Sequence, residues 1–370
     1  MTTENIQSKI QNGKIAILLH NGIQGPSGKT GLSLLRYSQA EIVAVIDSQC
    51  AGKSLPELTK IPRDIPIVAS VVEAIAFDPE VLVIGLAPSG GALPDEWFGE
   101  IKQAVISGLS VVNGLHTPLA NHSEIKPLLR PTQWIWDVRQ EPQGLTIASG
   151  KARTLSCRRV LTVGTDMAIG KMSTSLELNA TAQGRGFNSK FLATGQAGLM
   201  IAGNGIALDA VRVDFAAGAV EQMIMQFGNT HDLLIIEGQG SLLHPGSTAT
   251  LPLLRGTQPT DLILVHRANQ THIRNHPSVL IPPLPKVIEL YEMVAAAGGA
   301  MEPTRVVGIA MNTFHLDKMA AKEAIAQMET ETGLPCTDSV RFGADLLLDA
   351  VIGSNRSQSS GVSPQESTHP

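Results

Sequence analysis

Short apolar runs alternate with stretches of helical spacing along most of the chain. From Lys14 the run KIAILLH is β-rich and almost unbroken by polar residues; a Gly/Pro turn follows, then a helical pattern over Lys29–Tyr37, then a second apolar run, EIVAVID. Apolar runs without in/out alternation are what strands covered on both faces look like, so this order predicts a parallel βαβ unit. VLVIGLAPSGG, a helical segment around 97–107 and LSVVNGLH extend the series. Over 127–154 the rhythm breaks: Pro127, Pro131 and Pro142 stand among Trp134 and Trp136, which reads as a connector packed between two halves. A second series opens at Arg158 with RRVLTVG and runs through a helix over 171–183, SKFLATGQAG, a helix over 216–227, DLLIIEGQG and DLILVHRAN. It closes with a helix near 285–297, RVVGIAMNT, and helices around 316–331 and 343–352. The pattern is α/β throughout, with ligands expected at the carboxyl ends of the strands.

Composition narrows the function classes. A length of 370 residues suits two domains. The formal charge of -5, with only 16% charged residues, argues against a nucleic-acid footprint. No apolar run reaches the roughly 18 residues of a membrane span, and the N-terminal residues lack a signal-peptide pattern. Cys50, Cys157 and Cys336 are far apart with no CxxC pair, so neither a disulfide framework nor a zinc knuckle is indicated. These features predict a cytoplasmic protein with a small-molecule substrate, no nucleic-acid or membrane partner, and a homo-oligomeric state. The Ser-rich tail, 353–370, is nearly devoid of apolar residues and is expected to be disordered.

The strongest chemical signal is VLTVGTDMAIGKMST. Gly164 and the pair Gly170-Lys171 bracket five residues, directly after a β-like run and directly before a helical one. That is P-loop context: glycines let backbone N–H groups converge on an oxyanion, the helix start adds partial positive charge, and Lys171 adds a full one. A typical P-loop has about four residues between its glycines and a Ser/Thr after the lysine that binds Mg²⁺. Here Met172 takes that place, so phosphate binding is better supported than Mg²⁺-dependent phosphoryl transfer, and Ser173 or Thr174 reaches a metal only if the helix start is rotated. Gly164, Thr165, Asp166, Gly170, Lys171, Met172, Ser173 and Thr174 are the candidate cofactor contacts. A parallel loop in the first half, HNGIQGPSGKT, lacks the GxGxxG order, and Pro26 costs it a donor. Asp47 closes the next strand where dinucleotide folds place a ribose-binding acid. Lys29 and Arg36 remain candidates for holding an anionic substrate, and Ser89 of LAPSGG for presenting donors to one.

The spacing GTDxxxGK, the EGQGS of Glu237–Ser241 and the RVVGIAMN of Arg305–Asn312 resemble dethiobiotin synthetase and related P-loop enzymes. That resemblance implies Glu237 in place of the acid that ends the Walker-B-like strand. Asn312 then stands where it reads an adenine edge or simply closes a turn. Across almost the whole chain, GKTGLSLLRYS, IGLAPSGGALPDEW, GLSVVNGLH, GTDMAIGKMST, LDAVRVDFAAGAVE and EGQGSLLHPG resemble a family long labelled a domain of unknown function. The resemblance implies a Rossmann-like parallel-sheet domain over 1–140 followed by a P-loop NTPase-like α/β domain over 141–352. One member of that family is a D-glutamate N-acetyltransferase that uses acetyl-CoA and works with an enolase-type N-acetylglutamate racemase. The implied activity is acetyl-CoA-dependent N-acetylation of a small acidic amino acid, with D-glutamate the named substrate. Two alternatives stay open: an ATP- and Mg²⁺-dependent kinase or ligase, and a nucleotide- or CoA-sensing protein without catalysis.

Acetyl transfer to an amine needs a base for the ammonium proton and positive groups for the carboxylates, but no covalent nucleophile. Asp214, Glu237, His116 and His244 are the candidate bases, although Asp214 also suits a helix cap. The segment 266–285 is a long, proline-terminated loop of the kind that forms lids. Its Arg267 and Arg274, with Arg255, read as carboxylate or phosphate clamps. Its three histidines lack metal-ligand spacing and a nearby carboxylate, so no metal is expected.

Overall fold

The computed structural model describes residues 3–88 and 93–354. Its contacts divide the chain into two compact units, Met1–Leu145 with Leu192–Val213, and Thr146–Phe191 with Asp214–Pro370. Both are α/β, as the alternation predicts. The chain does not, however, divide at one point: Leu192–Val213, read in linear order as part of a domain over 141–352, packs with the first unit.

The first unit holds one six-stranded sheet. Its strands are β1 (Lys14–Leu18), β2 (Glu41–Ile46), β3 (Ile67–Val68), β4 (Val81–Ile84), β5 (Ser110–Asn113) and β6 (Ile135–Asp137), in the order β3-β2-β1-β4-β5-β6. All pairings are parallel. Order 3-2-1-4-5-6 is that of the dinucleotide-binding doubly wound sheet. Helix α1 (Thr3–Asn12) precedes β1, and α2 (Lys29–Tyr37), α3 (Leu55–Thr59), α4 (Val71–Ala74) and α5 (Asp95–Ile106) connect the strands. The short α3 and α4 each begin at a serine whose hydroxyl accepts the N–H of a glutamate three residues on, Ser54 from Glu57 and Ser70 from Glu73. The order reverses between β1 and β4, and there the loop after β1 is tied to the chain leaving β4: Ala87 N–H donates to Ser27 O and Gly31 N–H to Gly85 O, both at 2.7 Å. Residues 127–154 are more than a connector. Their Trp134–Trp136 stretch supplies β6, because Trp134 O and the β6 backbone complete the open edge of β5.

In the second unit β7 (Arg158–Gly164), β8 (Ser189–Leu192), β9 (Leu233–Ile236), β10 (Asp261–Arg267), β13 (Arg305–Asn312) and β14 (Cys336–Thr337) form a sheet of order β14-β13-β10-β7-β9-β8. The pairs β14–β13, β13–β10, β10–β7 and β7–β9 are parallel. Between β10 and β13 the hairpin of β11 (His272–Ile273) and β12 (His276–Leu280) stands apart. The segment 266–285, read as a long loop, therefore carries a hairpin over 272–280 between the end of β10 and the helix that opens at Leu284. Helices are α6 (Lys171–Gly184), α8 (Val213–Phe227), α9 (Thr250–Thr257), α10 (Leu284–Ala295), α11 (Lys318–Thr332), α12 (Ser339–Phe342) and α13 (Asp345–Gly353); α7 (Gln196–Ala202) lies in the segment that joins the first unit. Val160, Leu178, Ile235, Ile263 and Leu347 are buried together where α6 and α13 cover the sheet. β7 runs between β9 and β10, so the loop from β7 to α6 opens at the middle of the sheet's carboxyl edge. Among the described residues no helix is long and apolar enough to cross a membrane. Gly353 and Ser354 end α13; the rest of the Ser-rich tail lies outside the described residues.

Candidate phosphate-binding site

The loop from Gly164 to Gly170 has the backbone that anion binding requires. Gly170 caps α6 at φ +118°, a conformation that side-chain-bearing residues rarely adopt. No side chain caps this helix start, so the first-turn N–H groups, Met172 and Ser173 among them, have no intrahelical acceptor. Lys171 is buried, and its Nζ donates to Asp166 O at 2.7 Å, which places the ammonium within the loop. The floor is close-packed: a Cβ at Gly238 would lie 1.7 Å from Thr162 O and 3.0 Å from Lys171 Cδ. Gly238 N–H donates to Thr162 Oγ1, which also meets Ser175 Oγ at 3.0 Å, so β7, α6 and the turn after β9 are joined beneath the lysine.

The remaining bonds hold the loop rather than a ligand. Asp166, only 1% exposed, accepts from Met167 N–H at 2.6 Å, Gln270 Nε2 at 2.6 Å and Arg274 N–H at 2.7 Å. Its carboxylate thus fastens the hairpin to the P-loop. Thr165 is fully buried with its hydroxyl 2.9 Å from His266 Nδ1, and burial pushes the His266 imidazole down to about 4, keeping it neutral. Asn312 Nδ2 donates to Ile169 O at 2.8 Å while its Oδ1 accepts Phe314 N–H at 3.2 Å. Both ends of that amide take part in closing the loop, the turn role that the sequence offered beside reading a base edge. Thr174 faces away from the loop, buried with Ser339 Oγ 3.4 Å from its hydroxyl, whereas Ser173 is half-buried and Met172 buried. Tyr291, unanticipated from sequence, donates from its hydroxyl to Gly164 O at 2.7 Å and accepts Leu242 N–H at 3.1 Å.

Beside the loop a cleft of about 420 Å³ is lined by residues 166–169 of the P-loop together with Arg267, Gln270, His272, Arg274 and His315. Arg267 and Arg274 therefore stand beside the P-loop. Arg255 does not line this cleft; it is exposed in the last turn of α9.

The candidate bases are dispersed. Glu237 is buried just past β9 and accepts from Gln239 Nε2 at 3.1 Å. His244 Nδ1 accepts Gly246 N–H at 3.0 Å, and its ring stacks edge-on against His276 with centroids 5.0 Å apart. With Nδ1 accepting, Nε2 is the ring nitrogen that can donate. Asp214 is exposed in the first turn of α8, a position that suits a carboxylate at a helix start. In the first unit His116 is half-exposed, 4.0 Å from Asp209 and close to Arg139, which pairs with Asp209; desolvation and then Arg139 lower its pKa. Lys29 opens α2 and Arg36 lies in its last turn, about 10 Å farther along the axis. Asp47 is buried and accepts Ile23 N–H and Gln49 N–H, so it supports the first loop instead of offering itself to a ribose. Ser89 lies outside the described residues. All three cysteines are buried with raised thiol pKa values, chiefly through desolvation, Cys336 to about 12, which leaves none as a ready nucleophile.

A glycine-lysine loop of P-loop form at the middle of one parallel sheet, and a 3-2-1-4-5-6 sheet in the other unit, define an α/β protein with a Rossmann-like and a P-loop domain. Two family models match in the same arrangement, the DUF1611 N-terminal Rossmann-like domain at residues 48–141 and the DUF1611 C-terminal P-loop domain at 146–348. The chain belongs to the DUF1611 family. It is 37% identical over 281 residues to a D-glutamate N-acetyltransferase of a Pseudoalteromonas species, covering 75% of this chain and 83% of that one. A second D-glutamate N-acetyltransferase, from Tritonibacter scottomollicae, is 39% identical over 282 residues with the same coverage. Among solved structures, that of a DUF1611 family protein from Anabaena variabilis ATCC 29413 matches with a TM-score of 0.91 and 67% identity, over 92% of this chain and all of that one.

Proposed function

We propose that the protein is an acetyl-CoA-dependent N-acetyltransferase whose acceptor is a small acidic amino acid, D-glutamate by the names of its relatives. The observation that carries this reading is the P-loop itself: an anion cradle in which buried Met172 replaces the metal-binding hydroxyl. A thioether is a poor ligand for Mg²⁺. Such a loop suits a diphosphate that is held and not cleaved, as in coenzyme A. The cradle fits that group on its own geometry, through the uncapped start of α6, the Gly170 backbone and the close approach at Gly238.

When bound, the coenzyme supplies an activated acetyl thioester. Lys171 and the first-turn N–H groups of α6 would hold its diphosphate. Asn312, Asp166 and Tyr291 hold the loop in its receptive shape through Ile169 O, Met167 N–H and Gly164 O. The acceptor's ammonium must lose a proton before its nitrogen attacks. Glu237 remains a candidate for that step, with Asp214 and His116, while the tautomer of His244 suits it to donating a hydrogen bond to the developing oxyanion. The test is thiol release from acetyl-CoA in the presence of D-glutamate, L-glutamate, D-aspartate and uncharged amino acids. Release with acidic acceptors alone supports the reading; ADP formation from Mg²⁺-ATP with no thiol release would replace it by the ligase alternative.

A further inference from the structure

The cleft beside the P-loop contains more positive charge than the diphosphate site needs. Arg267 and Arg274 line it, with His272 and His315, in a chain whose formal charge is -5. Neither guanidinium has a carboxylate partner among the described residues, and the cleft's acid, Asp166, is committed to three N–H donors. Two unpaired guanidiniums facing one small cleft are a receptor for an anion, and planar forks of this kind suit phosphate. A second feature specifies what accompanies that anion. Gln270 spends both amide protons, on Asp166 at 2.6 Å and on His272 O at 2.9 Å, which fixes its orientation, and its Oε1 is buried without a hydrogen-bond partner. Gln270, which lines the cleft, thus keeps one carbonyl acceptor without a hydrogen bond.

We propose that this cleft is the subsite for the ribose 3′-phosphate of coenzyme A, with Arg267 and Arg274 on the phosphate and Gln270 Oε1 accepting from the neighbouring 2′-hydroxyl. The assignment rests on the coenzyme reading of the P-loop. It follows from adjacency: the cleft shares residues 166–169 with the loop, so its ligand is a group within one sugar of the diphosphate. The acceptor's carboxylates do not meet that condition, because the amine must reach the thioester at the far end of the pantetheine arm. The γ-phosphate of ATP would meet it, but brings no donor for Gln270 and calls for a metal site that Met172 does not provide.

Binding by calorimetry, without Mg²⁺ and at fixed ionic strength, separates these cases with CoA, dephospho-CoA and ATP as probes. Wild-type protein should bind CoA about tenfold or more tighter than dephospho-CoA, the value of a single hydrogen bond to a charged group. The double variant Arg267→Gln/Arg274→Gln should bring that ratio to within about twofold while leaving dephospho-CoA affinity unchanged, which also shows that the variant is folded. Gln270→Leu should weaken CoA and dephospho-CoA alike, since both keep the 2′-hydroxyl. Equal affinities in the wild type, a ratio that survives in the double variant, or a parallel loss of dephospho-CoA binding would each overturn the subsite while leaving the P-loop reading intact. Binding of ATP with neither coenzyme would remove the coenzyme reading itself.

Discussion

Asp166→Asn isolates what the P-loop aspartate does. All three groups that reach its carboxylate are donors: Met167 N–H at one oxygen, Gln270 Nε2 and Arg274 N–H at the other. The asparagine has nearly the same shape, but its NH₂ must replace one of those oxygens and face at least one N–H. The least costly placement loses a single bond to a charged acceptor, worth about 1.5–3 kcal/mol, and turns two others into neutral bonds about 1 kcal/mol weaker each. Summed, the local structure should lose about 3–5 kcal/mol. Native-state hydrogen exchange reads this directly, because each 1.4 kcal/mol is a factor of about ten: the Met167 and Arg274 amides should exchange at least a hundredfold faster. The same experiment should show the hairpin His272–Leu280 loosening while β7 keeps its protection. Unchanged exchange at both amides would mean that Asp166 does not fasten the hairpin and remains available for a ligand.

Lys171→Ala should weaken coenzyme binding by about tenfold or more, since a hydrogen bond to a charged group contributes about 1.5–3 kcal/mol, whereas Lys29→Ala should leave it nearly intact; equal losses in calorimetry would mean that both loops hold the coenzyme. Thiol release should survive EDTA within a factor of about two, less than 0.5 kcal/mol of barrier, and recovery of a lost rate by Mg²⁺ would move the assignment to ATP chemistry. His266 gives stability a sign with pH. Its folded-state value, about 4, lies below the ordinary 6.5, so its contribution is complete above pH 6.5 and falls as acid protonates the unfolded chain first. Urea unfolding should therefore show a loss of roughly 3 kcal/mol between pH 6.5 and about 4 that His266→Asn flattens; an identical fall in the variant would show that other groups cause it.

What was legible in the sequence is what local chemistry dictates. The α2 bounds expected from the helical pattern are those observed, and α6 begins at Lys171 as the glycine-lysine pair requires. Buried strands such as β4 and β9 declared themselves as unbroken apolar runs. β6 did not, because three residues at a sheet edge, flanked by prolines, have too little pattern to distinguish from a connector. Nor did β12, whose HPSVL is mostly exposed and shows no alternation. In the site, the contiguous Gly164–Lys171 loop was visible, but the partners that shape it were not. Gln270 and Arg274 meet Asp166 from 104 and 108 residues away, and Tyr291 meets Gly164 from 127. The polar run HRANQTHIRNH held the only local signal, an excess of hydrogen-bonding side chains after a strand, and that signal did not separate Gln270 from its neighbours.

The function proposed for this P-loop is to bind an acyl donor without cleaving a phosphate bond. The most direct measurement mixes the purified protein with acetyl-CoA and D-glutamate in EDTA, and follows free thiol and N-acetylated amino acid together by colour reaction and mass spectrometry. The two products should appear in equal amounts, with none of the acetylated product when acetyl-CoA is omitted and ATP supplied. Absence of both products, with ADP and phosphate appearing only when Mg²⁺-ATP and an amino acid are present, would contradict it.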